Sequence, residues 1–276
     1  MKKLQISFLF IFLLCLSLSI FAQETRDLII LQTSDVHSRV EPISQSGDRD
    51  HDKGGFVRRA TFLKDFRKDH SNVLLVDCGD ISQGTPYYNM FKGEVEVRLM
   101  NEMGYDVMTI GNHEFDFGLD NMKRLFEMAK FPVVCANYDL NTTVLKEIVK
   151  PYVILERHGL KIGVFGLGAE PEGLIQANKC EGVIYKDPVV VSNEVASLLK
   201  EKGCDIIVCL SHLGIQKDRE LVTKTRNIDV ILGGHSHTFM DGPKEFLNMD
   251  GKSIPIMHTG KSGINVGRLD LTLNRK

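Results

Sequence analysis

Beyond residue 21 the 276-residue chain has no apolar run long enough to cross a bilayer, no Pro/Gly/Ser-rich linker, no low-complexity block and no internal repeat. These absences exclude a polytopic membrane protein and a solenoid, and they leave one domain over residues 23–276 as the expectation. An excess of one charge is also missing: 34 Lys and Arg face 36 Asp and Glu, for a formal net charge of -2. The basic clusters, Arg58-Arg59 and residues 64–68, are mixed with acids on what reads as the outer face of a helix. Neither a nucleic-acid partner nor an anionic membrane surface is implied. Any phosphate that binds must be held by something other than surface Lys and Arg.

Cysteine is too scarce and too oddly counted for a disulfide framework. Six are present, and Cys15 lies in the leader described below, which leaves five. Cys78, Cys135 and Cys209 sit inside apolar runs and read as buried thiols. Cys180 and Cys204 leave a bridge open.

The leader, MKKLQISFLFIFLLCLSLSIFA, has two lysines, an apolar run over residues 6–21 and a small residue, Ala22, at its end. That is the pattern of a secretory signal occupying residues 1–22, so the mature chain is expected to be exported, periplasmic or secreted, and off the membrane after cleavage. An uncleaved anchor is the alternative. The run falls short of the roughly 20 residues a comfortable span needs.

Short apolar runs at residues 28–31, 73–77, 106–110, 132–136, 205–210 and 229–232 alternate with segments whose apolar residues recur at helical spacing. Among these segments are Phe56, Ala60, Leu63 and Phe66, then Val95, Leu99 and Met103, then Leu119, Met122, Leu125 and Phe126. Alternation of this kind predicts an α/β layered domain. Residues 152–165 read as a hairpin turning at His158-Gly159, and residues 254–273 as glycine-punctuated strands. Both additions favour two packed mixed sheets over a simple doubly wound one.

Polar residues collect where the strands end. LIILQTSDVH ends in Asp35 and His37, VLLVDCGD in Asp80, DVMTIGNHE in Asn112 and His113, DIIVCLSH in His212, and DVILGGHSH in His235 and His237. Ligands of open α/β sheets bind at the carboxyl ends of strands. A single histidine after a strand is usually a loop or core residue, and His51, His70, His158 and His258 are read that way. Five strand ends of matching chemistry make coincidence a poor explanation. Asp, His and Asn without thiolate suit zinc, manganese, iron or cobalt. Asp35 and His37, two apart on an extended chain, can face the same way, and so can His235 and His237. Seven donors exceed what one four-coordinate ion needs, and two divalent ions sharing a carboxylate fit the count.

The ordered set D-x-H, GD, GNH, H and GHSH resembles the calcineurin-like metallophosphoesterase superfamily. Within it, LQTSDVHSR, GNHEFDFG and GGHSHT are similar to the secreted 5'-nucleotidase and UDP-sugar hydrolase family. The resemblance implies a four-layer α/β/β/α sandwich. It also implies that Asp35, His37 and His237 hold one metal, that Asn112, His212 and His235 hold the other, and that Asp80 bridges them. His113 would face the substrate as the catalytic acid, oriented and kept protonated by Asp116. Glu114 has no role derivable from the sequence beyond capping or support.

The same resemblance implies a second, C-terminal domain that holds the phosphate and sandwiches the base, whereas this sequence runs to Lys276. The expectation is therefore a hydrolase of small phosphorylated substrates, nucleotides above all, with base recognition supplied by a separate nucleotidase-type polypeptide or replaced by a more open pocket. A phosphodiesterase acting on cyclic nucleotides or other diesters, and a non-catalytic, partner-dependent metal-binding subunit, are the alternatives. Tyr87, Tyr88 and Phe91 offer either an aromatic wall near Asp80 or core packing.

Overall fold

The central strands carry near-continuous apolar runs, the pattern of burial on both faces. The computed structural model, which describes residues 25–44 and 46–274, buries them in that way. The expected leader over residues 1–22 lies outside the described residues. In chain order the elements are β1 (Thr25–Thr33), α1 (Phe56–Asp69), β2 (Val73–Asp77), α2 (Pro86–Phe91), α3 (Glu94–Met103), β3 (Val107–Thr109), α4 (Leu119–Met128), β4 (Val133–Val134), β5 (Tyr138–Asp139), β6 (Tyr152–Arg157) and β7 (Leu160–Leu167). They continue with β8 (Ile184–Tyr185), α5 (Pro188–Glu201), β9 (Ile206–Ser211), α6 (Ile215–Thr223), β10 (Val230–Gly233), β11 (Lys244–Leu247), β12 (Ser253–His258) and β13 (Gly267–Asn274). Among the described residues no helix is long and apolar enough to cross a membrane.

Two mixed sheets form the centre. One runs β13-β1-β2-β3-β4, with β13 antiparallel to β1 and the rest parallel. The other runs β11-β12-β10-β9-β7-β6, parallel in the middle and antiparallel at both edges. A third, two-stranded pairing joins β5 to β8. The alternation of side chains along a strand sorts the core into three layers of contact. Leu28, Ile30, Leu74 and Val76 pack against Val164, Val208, Leu210 and Leu232 between the sheets. Ile29, Leu31 and Leu75 meet Phe56 and Leu63 of α1, Met100 of α3 and Leu125 of α4 on one outer face. Ile207, Cys209 and Ile231 meet Ala196 and Leu199 of α5 and Leu221 of α6 on the other. The result is the expected four-layer α/β/β/α sandwich, in which each fully buried aliphatic side chain contributes roughly 1.5–3 kcal/mol.

The hairpin expected at His158-Gly159 is present, with both residues at positive φ, 49° and 71°, between Arg157 and Leu160. That is the backbone a two-residue hairpin turn demands. Two helical stripes differ from expectation. On α1 the buried residues are Phe56, Arg59 and Leu63, while Ala60 is exposed. Arg59 therefore does not belong to the outer face: its guanidinium lies 4.2 Å over the Phe56 ring and donates to Tyr105 Oη at 3.1 Å. On α3 the buried set is Glu96, Val97, Met100 and Met103 rather than Val95 and Leu99. All five described cysteines are free, so the bridge left open for Cys180 and Cys204 does not form.

Candidate metal centre

The parallel strands β1, β2, β3, β9 and β10 all finish at one edge of the sandwich, and eight of the residues singled out from the sequence follow them closely. The first sheet delivers Asp35, His37, Asp80, Asn112 and His113, and the second delivers His212, His235 and His237. The backbone there is not extended as assumed from the spacing. Asp35, His37, Asp80, His235 and His237 all sit in the left-handed region, with φ between 50° and 73°. Each such residue costs about 1–2 kcal/mol relative to an ordinary conformation. Glycine would be cheaper at every one, so the side chains themselves account for their presence.

Those side chains converge. His37 Nε2 lies 2.8 Å from His237 Nε2, and His237 Nε2 lies 3.5 Å from Asp35 Oδ1. On the other side His235 Nδ1 lies 2.8 Å from Asn112 Oδ1, and His212 Nε2 lies 3.1 Å from Asp80 Oδ2. Donor atoms of Asp35, His37 and His237 fall within 4.8 Å of one another, as do those of Asp80, His212 and His235, and those of His37, Asp80 and His113. Asp80 thus stands in two of these groups.

Hydrogen bonds behind the rings fix which nitrogen faces inward. His37 Nδ1 donates to the Ser82 carbonyl at 3.3 Å, and His212 Nδ1 donates to the Cys78 carbonyl at 2.6 Å. Each leaves Nε2 turned toward the cluster, which is how a protein orients a ligating imidazole. His212 Nε2 is fully buried and in hydrogen-bonding geometry with no acceptor despite its nearness to Asp80. A buried nitrogen in that position lacks a partner that a cation would supply.

The charges agree. Burial pulls His37 and His235 down to about 4, and burial together with Lys261 lowers His237, so all three rings are neutral and able to ligate. Burial opposes ionisation of His212 and Asp80, yet the attraction between the two outweighs it, pushing His212 up to about 10 and holding Asp80 below the usual carboxylate range. Burial, with the neighbouring Asp80 charge, raises Asp35 to about 6. The positive charge that Asp80 attracts is carried here by the His212 ring.

The stretch TIGNHEFDFG builds the remaining wall. Gly111 is required for contact: a Cβ there would lie 2.2 Å from Asp80 Oδ1. His113–Phe115 form a single 3-10 turn, which brings Asp116 Oδ2 to 3.2 Å from His113 Nδ1, as the three-residue spacing predicts. That hydrogen bond, against the opposing effect of burial, raises the His113 pKa. The His113 backbone N–H donates to Asp80 Oδ1 at 2.9 Å, so the carboxylate is held from the same turn.

Sequence reasoning missed what Glu114 does. Its buried carboxylate accepts from the backbone N–H groups of Gly111 (2.6 Å), Asp80 (2.9 Å) and Ser82 (3.2 Å), tying the β2 and β3 loops together. The sequence hints at this only by placing an acid directly beside a histidine at a strand end; that Glu114 is buried, at 1% exposure, is seen in the fold. The aromatic wall does not form. Tyr88 is core, packed 5.1 Å from Phe117, Tyr87 bonds Glu41 at 2.9 Å, and Phe91 is exposed. His70 and His158 each bond a backbone carbonyl, of Phe66 and Ser71 respectively, away from the cluster.

The family model described as calcineurin-like phosphoesterase matches residues 28–239. A snake venom 5'-nucleotidase from Gloydius brevicauda is 33% identical over 282 residues, covering 95% of this chain and 48% of that protein. The crystal structure of a 5'-nucleotidase precursor from Thermus thermophilus superposes with a TM-score of 0.83 at 31% identity, covering 89% of this chain and 51% of that one. The calcineurin-like phosphoesterase YfkN from Bacillus subtilis superposes with a TM-score of 0.77 at 28% identity, covering 92% of this chain and 87% of that one. The chain spans about half the length of the curated relatives it matches.

Proposed function

Because this chain belongs to the calcineurin-like phosphoesterase family, we propose that it hydrolyses phosphate esters of nucleotides with the help of two divalent metal ions. One observation carries the reading: Asp80 is common to two clusters of potential metal donors that meet at one strand edge. In this reading Asp35, His37 and His237 hold one ion, Asn112, His212 and His235 hold the other, and Asp80 lies between. The donor set, oxygen and imidazole without thiolate, fits zinc, manganese, iron or cobalt. Two such cations, when bound, supply a hydroxide nucleophile at neutral pH and neutralise the phosphate oxygens. They also account for a phosphate site without a basic patch.

His113 does the proton work. Its Nδ1 is engaged by Asp116, which leaves Nε2–H for the ester oxygen that departs, and the raised pKa keeps that proton in place. Glu114 and the turn at Gly111 hold Asp80 and His113 in fixed relation, so little reorganisation is needed on binding.

Base recognition we assign to a nucleotidase-type second domain, since the nucleotidase relatives are about twice the matched length. Residues 1–22 we read as an export signal, which places the reaction in the periplasm or outside the cell. The test is a hydrolysis panel of nucleoside monophosphates, cyclic nucleotides, UDP-sugars and simple diesters, run with added manganese or zinc. Nucleoside 5'-monophosphates turn over fastest in this reading. Turnover confined to diesters would replace the substrate class, and no turnover of any ester at full metal occupancy would favour a non-catalytic subunit.

A further inference from the structure

Ser211, Gly233 and His258 stand side by side on three neighbouring parallel strands: Gly233 of β10 pairs with Ser211 of β9 on one side and with His258 of β12 on the other. Gly233 has no side chain, and Asp218 of α6 occupies the space above it. One oxygen of Asp218 accepts from the Ser211 hydroxyl, and the other accepts from His258 Nε2 at 2.7 Å. A Cβ on Gly233 would lie 2.0 Å from His258 Nε2 and 2.3 Å from Asp218 Oδ2. All three polar residues are buried, at 0% exposure for Ser211 and Asp218 and 2% for His258. The other ring nitrogen of His258, Nδ1, has no partner, so Asp218 alone sets that ring's orientation.

The placement of this bridge matters more than its existence. The residue after Ser211 is His212, and Gly233 leads through Gly234 into His235. The bridge thus ties the end of β9 to β12 over the end of β10, one residue before His212 and two before His235. From the opposite face Gln32 Nε2 donates to the Gly233 carbonyl at 2.9 Å, and His212 Nδ1 donates to the Cys78 carbonyl. The strand ends are therefore gripped between the two sheets on one side and by α6 on the other. Donors that must converge to within a fraction of an ångström need such support, and removing a group bonded directly to a ligand commonly weakens metal affinity 10–100-fold, which sets the scale for a support one residue behind it.

We propose that Asp218, with His258 and Ser211, is a positioning residue for the metal centre: by bridging β9 and β12 across Gly233 it sets where His212 and His235 stand. The inference rests on the two-ion reading above. It assigns the bridge to the His212/His235 side, because two donors of that set follow β9 and β10, whereas Asp35 and His37 come from the other sheet and only His237 of their set follows β10.

Cobalt(II) titration of the full chain tests it, followed by visible absorption and by elemental analysis. The wild-type chain takes up two ions. In Asp218→Asn and in Gly233→Ala, one of the two binds 10–100-fold more weakly while the other keeps its affinity. The double variant Asp218→Asn/His258→Asn is no worse than Asp218→Asn alone, because one bridge is lost once. Leu199→Ala, a buried core truncation on α5, lowers the melting temperature and leaves both affinities in place. Should Asp218→Asn fail to fold, Ser211→Ala removes half of the bridge and shows the same selective weakening. Unchanged affinities in a folded Asp218→Asn or Ser211→Ala overturn the proposal, as does equal weakening in Leu199→Ala. A wild-type chain that takes up fewer than two ions overturns the two-ion reading beneath it, so the two failures are told apart.

Discussion

The backbone N–H of His235 donates to Asp35 Oδ1 at 2.9 Å, joining loops 200 residues apart in the chain and in different sheets. Asp35 therefore ties the two sheets together at this edge as well as offering a potential metal donor. Asp35→Ala strands a half-buried amide and removes the carboxylate, so the metal-free chain loses about 1–3 kcal/mol and at least one ion fails to bind. Urea unfolding and elemental analysis check the two halves separately. Two ions retained in the variant would remove Asp35 from the ligand set.

His113→Ala, assayed on an aryl phosphate at equal metal content, lowers kcat about 10²–10⁴-fold. Asp116→Asn gives a smaller loss and a characteristic change with pH. Asp116 raises the His113 pKa, so the protonated form, the active one in the proposed mechanism, persists to higher pH in the wild type. Without Asp116 the alkaline fall in activity begins at lower pH. An alkaline limb that stays where it was would separate Asp116 from His113.

Asp77 gives a stability prediction away from the donor cluster. Burial raises its carboxyl to about 7, against the help of Thr33 and Gly79, which both donate to it. A carboxyl whose folded pKa lies above its unfolded one contributes stability that is complete below about pH 4 and lost as pH rises through about 7. The wild-type melting temperature, read on the metal-free chain, falls between pH 5 and pH 8, and Asp77→Asn flattens that slope. An identical pH dependence in both proteins would mean that Asp77 is ionised in the folded state throughout.

Glu114→Gln keeps the shape but sets an amide N–H₂ against backbone N–H groups that the carboxylate now accepts from. One or two of those amides lose their partner, at about 1–3 kcal/mol each, and the Asp80 loop loosens. Urea unfolding shows the stability loss, and metal content falls with it. A variant as stable as the wild type would show that the three amides find other acceptors.

The parts of this protein that were legible in the sequence are those where a local pattern determines a spatial outcome. Strands buried on both faces leave continuous apolar runs, and a parallel strand ends where its polar residues begin, so Asp35, Asp80, Asn112, His212 and His235 could be placed at one edge before any coordinates. The His158-Gly159 turn is two residues long and carries its own signal. Arg59 misled because charge was equated with exposure, whereas its stem and guanidinium find Phe56 and Tyr105 inside. Glu114 was opaque because its three partners come from two loops that only the fold brings together. The Asp218 to His258 contact spans 40 residues and crosses a third strand, so no window of sequence contains it. The β5 to β8 pairing is two residues long, too short for any periodicity to register.

That Asp80 sits between two cations is tested most directly by reconstituting the chain with manganese or zinc, counting ions by elemental analysis and locating them by anomalous scattering in a crystal. Two ions per chain, with one Asp80 oxygen toward each, is the expected result. A single ion, or two ions with Asp80 bound to only one, contradicts it.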